Sequence, residues 1–316
     1  MIGIGIDLGG TAIKSALVDS EKGIIKQFSI PSDAHLGKDA LLQRLIDVVK
    51  TAVAESPEKP VGVGIGAPGV ISLDRKTVSN PPNLPGWDIV PLADIISKGT
   101  GLPCRVENDA NLAALGSSRF GIGRTYPHFI MVTLGTGVGG GIIFNRDIFK
   151  GAHGGAGELG HVTIDYKGPQ SNSPTQGGIE AYLGQRFLSH FAAEQLSKYP
   201  ENDLTIKFDG QFEKMEPVDL YTAAVAGNEI AIDILKSAGE KLGYAIVNYV
   251  HILDIRTIIV SGGVSRAGDF ILEPARKAAL DRLMDPFKPD FQILFESQGN
   301  DIALLGAGSL AIEIRP

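Results

Sequence analysis

The amino-acid sequence predicts an α/β protein built as two similar domains facing each other across a cleft. Three observations lead there. The chain has 316 residues, more than one hydrophobic core usually serves. Strand-like apolar runs and helical runs are interleaved along it. The plan that opens the chain (strand, glycine turn, strand) begins again near residue 128.

The elements follow in order. Ile2, Ile4 and Ile6 alternate as a strand, a glycine turn follows, and "IKSALVD" and "IIKQFSI" supply two more strands. From Lys38 to Glu55, Leu41, Leu45, Val48, Val49, Ala52 and Val53 keep helical spacing. "VGVGIGAPG" is a buried strand entering a loop. "CRVEND" is a strand ending in polar residues, and "NLAALGSSRFG" is a helix that Asp109 is placed to cap. Further on, "EIAIDILKSAGEKLGYAIVNYVHIL" reads as a long helix, "RTIIVSGGV" as a strand into a glycine turn, "FQILFES" as a last strand and "DIALLGAGSLAIEI" as a closing helix.

"IDLGGTAIKSALVD" lies over "VTLGTGVGGGIIFN", with Leu8 over Leu134 and Gly9 over Gly135. Such spacing is too long for a solenoid, so it points to paired domains with the ligand between them.

Composition narrows the function. The 40 glycines exceed the roughly 22 of an average chain this long. They cluster where tight turns and close backbone approach to a ligand are needed. A net charge of −7 argues against a nucleic-acid surface. The single cysteine, Cys104, forms no internal disulfide and fits a reducing compartment. No basic leader and no apolar run of about 18 residues occurs, so no membrane partner and a cytoplasmic location are expected.

Glycine turns follow apolar strands at 7–11, 134–141 and 261–264, and successive backbone N–H groups in such turns make anion nests. Gly135, Gly137 and Gly140 match G-x-G-x-x-G. Strand-like "IIFN" follows instead of a helix, so this is no dinucleotide fingerprint, and no P-loop motif occurs.

Taken together, "DLGGT" with Lys14, "LGTGVGGG" and "SGGV" resemble the sugar kinases of the ROK family, in the actin/hexokinase (ribonuclease H-like) superfold. The resemblance covers nearly the whole chain. It implies an N-terminal α/β domain of residues 1–112 plus about 300–316, and a larger C-terminal α/β domain of residues 113–299. It also implies ATP and Mg²⁺. Asp7 would orient the hydrated cation, Gly9, Gly10, Thr11, Lys14, Gly135, Thr136 and Gly137 would line the phosphates, and Gly262 and Gly263 would approach the nucleoside.

On the sugar side, "VENDAN" matches the family's catalytic stretch, with Asp109 as base and Asn108 as a hydroxyl ligand. A carboxylate suits that task, since a hydroxyl must lose its proton as phosphoryl transfer proceeds. Asn83 in "NPPNLPGW", Glu158, His161 and Glu180 match the remaining hexose ligands. Glu158 and His161 could instead form a helical i,i+3 pair, but the glycines around them argue against a helix. The activity implied is glucokinase-like, ATP-dependent phosphorylation of a hexose 6-hydroxyl by a homodimer. N-acetylhexosamine or fructose kinases of the same family, and polyphosphate as donor, are the alternatives. A non-catalytic sugar sensor or repressor is more remote, because repressors of the family carry an N-terminal helix-turn-helix and here the phosphate strand starts at Met1.

Many members hold a structural zinc with a histidine and three cysteines. Aligned on Glu180, the cysteine positions are Ser171, Ser173 and Gly178. One imidazole and two hydroxyls make a poor tetrahedral zinc set, so no zinc is expected.

Overall fold

The structure, a computed structural model, describes residues 1–82, 84–299 and 301–314. The chain folds as two compact units. One comprises Met1–Pro127, Gly141–Gly157 and the C-terminal helix, the other His128–Gly140 and Glu158–Gly299.

The first unit opens with an antiparallel meander, β1 (Ile2–Leu8), β2 (Ala12–Asp19) and β3 (Gly23–Pro31). After α1 (Lys38–Ala54), β4 (Val63–Ala67) pairs parallel with β1. Two-residue strands β5 (Val70–Ile71), β6 (Val78–Ser79) and β7 (Ile89–Val90) make a small antiparallel sheet. Helix α2 (Leu92–Thr100) then leads to β8 (Cys104–Asn108), parallel to β4, and to α3 (Asp109–Phe120). The main sheet runs β3-β2-β1-β4-β8.

The motif "IGIGID" explains how this sheet is covered. Side chains alternate between the faces of a strand, so Ile2, Ile4 and Ile6 join one core with Leu41, Leu45, Val49 and Ile96. Gly3 and Gly5 take the other face, against α10 (Asp301–Ile312). A Cβ on Gly3 would stand 2.5 Å from the Gly308 carbonyl oxygen, one on Gly5 2.5 Å from that of Leu304, and one on Gly64 2.0 Å from that of Ala307. Between α3 and α10 a Cβ on Gly116 would come within 1.9 Å of the Ile302 oxygen, and one on Gly306 within 1.8 Å of the Leu112 oxygen. The helix sits where only glycine lets backbone meet backbone.

The second sheet repeats the order. Strands β9 (Phe129–Leu134), β10 (Val138–Phe144) and β11 (Asp147–Ile148) correspond to β1, β2 and β3. Then β12 (Thr257–Ser261) and β13 (Gln292–Phe295) correspond to β4 and β8, giving β11-β10-β9-β12-β13 with β9, β12 and β13 parallel. The resemblance read from Leu8 and Leu134 is thus a repeated topology. Helices α4 (Glu180–Leu183), α5 (Gln185–Leu196), α6 (Asp203–Phe208), α7 (Pro217–Val225), α8 (Glu229–Leu253) and α9 (Asp269–Leu280) complete the second unit. Helix α8 has the ends its periodicity predicts, with Asn228 accepting from the Ala231 N–H as cap. No helix among the described residues is long and apolar enough to cross a membrane.

One expectation is corrected. The cap of α3 is Asn108, whose Oδ1 accepts from the N–H groups of Ala110 at 2.9 Å and Asn111 at 3.3 Å. Asp109 is the first helical residue. Asn and Asp are nearly equal as caps, and the extended backbone of Asn108 decides between them.

Candidate functional site

The first unit gathers its candidate residues at the carboxyl ends of its parallel strands, the edge where open α/β sheets bind ligands. Asp7 stands opposite Gly66, and Ala67 opposite Asn108. The turn after β1 is closed by the Gly9 N–H donating to the Ala12 oxygen at 3.0 Å. Its carbonyls are tied to Ser32, whose hydroxyl donates to the Gly10 oxygen at 2.6 Å and whose N–H donates to that of Thr11 at 3.0 Å. Beside it lies an open depression of ≈ 380 Å³ lined by Gly10, Thr11, Ser32, Asp33 and His35, among others. Burial holds the Asp7 carboxyl above its usual range, and the ammonium of Lys14, its partner across the β1–β2 ladder, pulls the other way. Asp109 accepts from the Ala110 N–H at 2.8 Å, and the Asn108 amide also donates to the Gly69 oxygen at 3.4 Å. Asn83 lies outside the described residues.

The second unit uses the equivalent edge. After β9, the Gly135 N–H donates to the Gly137 oxygen at 3.0 Å, a tighter closure than that at Gly9, and the Gly135 oxygen accepts from the Gln185 N–H at 2.9 Å. Gly262, beyond the end of β12, has φ 98 and sits so close that a Cβ would meet the Leu134 oxygen at 2.3 Å. The position next to it, Gly263, faces open space. Glu180, first residue of α4, sends its carboxylate to this turn. Its Oε2 accepts from the Val138 N–H at 3.2 Å and would lie 2.3 Å from a Cβ on Gly137.

Glu158 precedes and His161 ends a single 3-10 turn, Leu159–His161, with His161 Nε2 3.6 Å from Glu158 Oε2. The glycine context was expected to exclude a helical pair, and here the structure corrects the reading. A 3-10 turn needs few residues, and Gly160 lets this one pack against the start of β10: a Cβ there would stand 2.0 Å from the Val138 oxygen. The buried Tyr249 hydroxyl donates to the Leu159 oxygen at 2.7 Å and fixes the turn from α8, its pKa pushed up by that burial. Glu158, His161, Glu180 and the 135–137 turn are therefore assembled around one strand start, that of β10.

The loop that follows is laced by hydrogen bonds. Ser171 Oγ and Ser173 Oγ lie 3.0 Å apart, Ser171 Oγ donates to the Thr175 oxygen at 3.2 Å, and the Thr175 N–H donates to Ser173 Oγ at 3.2 Å. Main-chain bonds from Gly177 N to Pro169 O at 2.8 Å and from Ile164 N to Gly177 O at 2.9 Å close it. His161 Nδ1 is buried without a hydrogen-bond partner. The zinc of the family does not fit these residues: hydroxyls bonded to each other and to main chain replace thiolates. Among the described residues no group of three or more His, Cys, Asp or Glu is placed to hold a metal ion.

Sequence reasoning missed a buried charge cluster next to Asp109. The fully buried Glu107 carboxylate accepts from Lys150 Nζ at 2.7 and 2.8 Å, Arg75 Nε at 3.0 Å, Asn111 Nδ2 at 3.2 Å and the Asn108 N–H at 3.0 Å. A charged residue inside the strand "CRVEND" was the available signal; nothing local marks Arg75 or Lys150.

Known proteins bear on this arrangement. The ROK family model matches residues 3–314. A glucokinase from Thermotoga maritima is 35% identical over 310 residues, covering 98% of this chain and 97% of that protein. The structure of a ROK family glucokinase from Streptomyces griseus in complex with glucose and AMPPNP superposes with a TM-score of 0.85 at 33% identity, covering 99% of this chain and 100% of that one. A xylose repressor from Caldicellulosiruptor bescii is 31% identical, covering 88% of this chain and 70% of its own length. With the family model spanning nearly every residue and the repeated glycine turns at equivalent strand ends, this chain belongs to the ROK family.

Proposed function

We propose that the protein is an ATP-dependent hexokinase of the glucokinase type, transferring the γ-phosphoryl group of ATP to the 6-hydroxyl of a hexose. The observation that carries the reading is the β8–α3 junction: Asn108 caps the helix and Asp109 opens it, at the strand-end edge shared with Asp7. Asp109 accepts the hydroxyl proton as the oxygen attacks the γ-phosphorus and the bond to ADP breaks. The glycine turns at 9–11 and 135–137 supply backbone N–H groups to the phosphates. Asp7 would hold the hydrated Mg²⁺ that arrives with ATP, and that cation's charge would offset the cost of burying the carboxylate. Glu158, His161 and Glu180 take the sugar hydroxyls, as do Asn83 and Asn108, while Gly262 and Gly263 lie under the nucleoside. No zinc takes part. The enzyme works in the cytoplasm as a homodimer.

A coupled ADP-release assay over glucose, mannose, fructose and N-acetylated hexosamines, run with ATP and with polyphosphate, tests the assignment. Highest kcat/KM with glucose and ATP is expected. Turnover with none of the sugars would defeat it.

A further inference from the structure

We propose that Glu107 is a positioning residue for phosphoryl transfer: clamped between Arg75 and Lys150, its carboxylate fixes the β8–α3 junction that presents Asn108 and Asp109. The proposal rests on Asp109 being the base.

The cluster ties together chain segments that no secondary structure joins. Glu107 and Arg75 are 32 residues apart, Glu107 and Lys150 43. Arg75 sits in a turn at φ 60, its N–H bonded to the Ser72 oxygen at 2.9 Å and its oxygen accepting from the Val106 N–H at 2.8 Å. That turn is thereby sewn to β8 one residue before Glu107. The Lys150 oxygen accepts from the N–H groups of Gly154 at 3.1 Å and Ala156 at 3.2 Å, so the same residue shapes the loop leading to Glu158. Glu107 itself bonds the main chain of Asn108 and the side chain of Asn111. Three charged side chains, exposed by only 0%, 9% and 16% for Glu107, Lys150 and Arg75, meet under the first turn of α3.

Stability does not account for such a cluster. Removing three charged groups from water is costly, and apolar residues of similar size often serve a fold as well or better. What this cluster can supply is a defined geometry: Glu107 holds both cations, whereas the other carboxylate beside Arg75, exposed Asp147, stands 3.7 Å away. Geometry is what a base needs, since a misplacement of about 1 Å can cost on the order of 10²-fold in rate.

The test compares Glu107→Gln, the double variant Glu107→Gln/Lys150→Met, and Asp109→Asn, with kcat, the two KM values, the melting temperature and hydrogen exchange over residues 104–112. Glu107→Gln keeps the volume but cannot balance both cations. Its kcat should fall about 10- to 100-fold with ATP KM within threefold, and exchange at 108–111 should quicken. The double variant, whose remaining charge is lower, should recover part of the lost kcat. A merely structural role would lower the melting temperature and leave kcat of the folded enzyme unchanged well below it. Wild-type kcat in either folded Glu107 variant overturns the proposal; should the single variant not fold, the double variant decides. If Asp109→Asn stays active, the base assignment fails instead, whatever Glu107 does.

Discussion

Glu180 Oε2 and the amide nitrogen of Val138 lie 3.2 Å apart, so a carboxylate placed by one helix start is seated in the glycine turn that follows β9. Gly137 makes room for it, since a Cβ there would stand 2.3 Å from that oxygen. The obstacle is the tip of a flexible side chain, which can move, so Gly137→Ala should fold normally and displace the carboxylate. Sugar KM should rise about tenfold or more, as loss of a charged hydrogen bond of about 1.5–3 kcal/mol implies, with little change in melting temperature. Unchanged sugar KM would separate Glu180 from substrate binding.

Replacing Asp109 with Asn should lower kcat by about 10²- to 10⁴-fold, the usual worth of a general base. Asn108 makes the helix cap, so the fold should tolerate the change. Calorimetry should find sugar affinity within a few-fold of wild type. A variant retaining more than half of kcat contradicts the role.

Asp7 gives the stability of the fold a pH dependence. Burial raises its carboxyl above the ordinary value of 3.8, so the folded state is penalised for holding the ionised form. That penalty is absent below the unfolded value and builds as pH rises through the folded one. Asp7→Asn should therefore melt higher than wild type at pH 7.5, by roughly 2–4 °C for each kcal/mol removed, with the gap shrinking toward pH 4. Its phosphotransfer should be severely impaired. A lower melting point at pH 7.5 would show that Lys14 outweighs burial.

The serine-laced loop should need no metal. Protein purified without chelator should carry substoichiometric zinc by elemental analysis, and a zinc-selective chelator with Mg²⁺ in excess should leave activity intact. Near-stoichiometric zinc would overturn this. Replacing Ser171 by Ala removes a partner of Ser173 and Thr175; it should raise sugar KM a few-fold by loosening the segment between His161 and Glu180.

Gly306→Ala should be far more damaging than Gly137→Ala, because its Cβ would press on the Leu112 main-chain oxygen at 1.8 Å. Backbone cannot step aside as a carboxylate tip can. The loss in denaturant melts should reach at least the ~1–3 kcal/mol of ordinary overpacking.

How far the sequence could be read follows from range. Helix α8 was legible to both ends because 25 residues carry its period. The repeat at Leu8 and Leu134 was legible because glycine turns leave a local signature, and it returned as the same strand order in two sheets. The strands β5, β6 and β7 have two residues each, too few for any period to register. The cap of α3 was misread by one position because Asn and Asp serve almost equally. Glu107 was seen only as part of a motif, since its partners come from distant segments that only the tertiary fold brings to it. Glu180 was named as a sugar ligand, but its bond to the Val138 amide depends on a turn 42 residues earlier.

Helix α10 lies on β1, β4 and α3 through glycine contacts, and this sets an order of events during synthesis. The first sheet emerges early from the ribosome, yet its Gly3/Gly5 face stays uncovered until residues 301–312 clear the exit tunnel. The second unit, completed within 128–299, can form before that. Strand β1 is then closed by a helix synthesised long after it, and until that helix docks the glycine face is a site for wrong contacts.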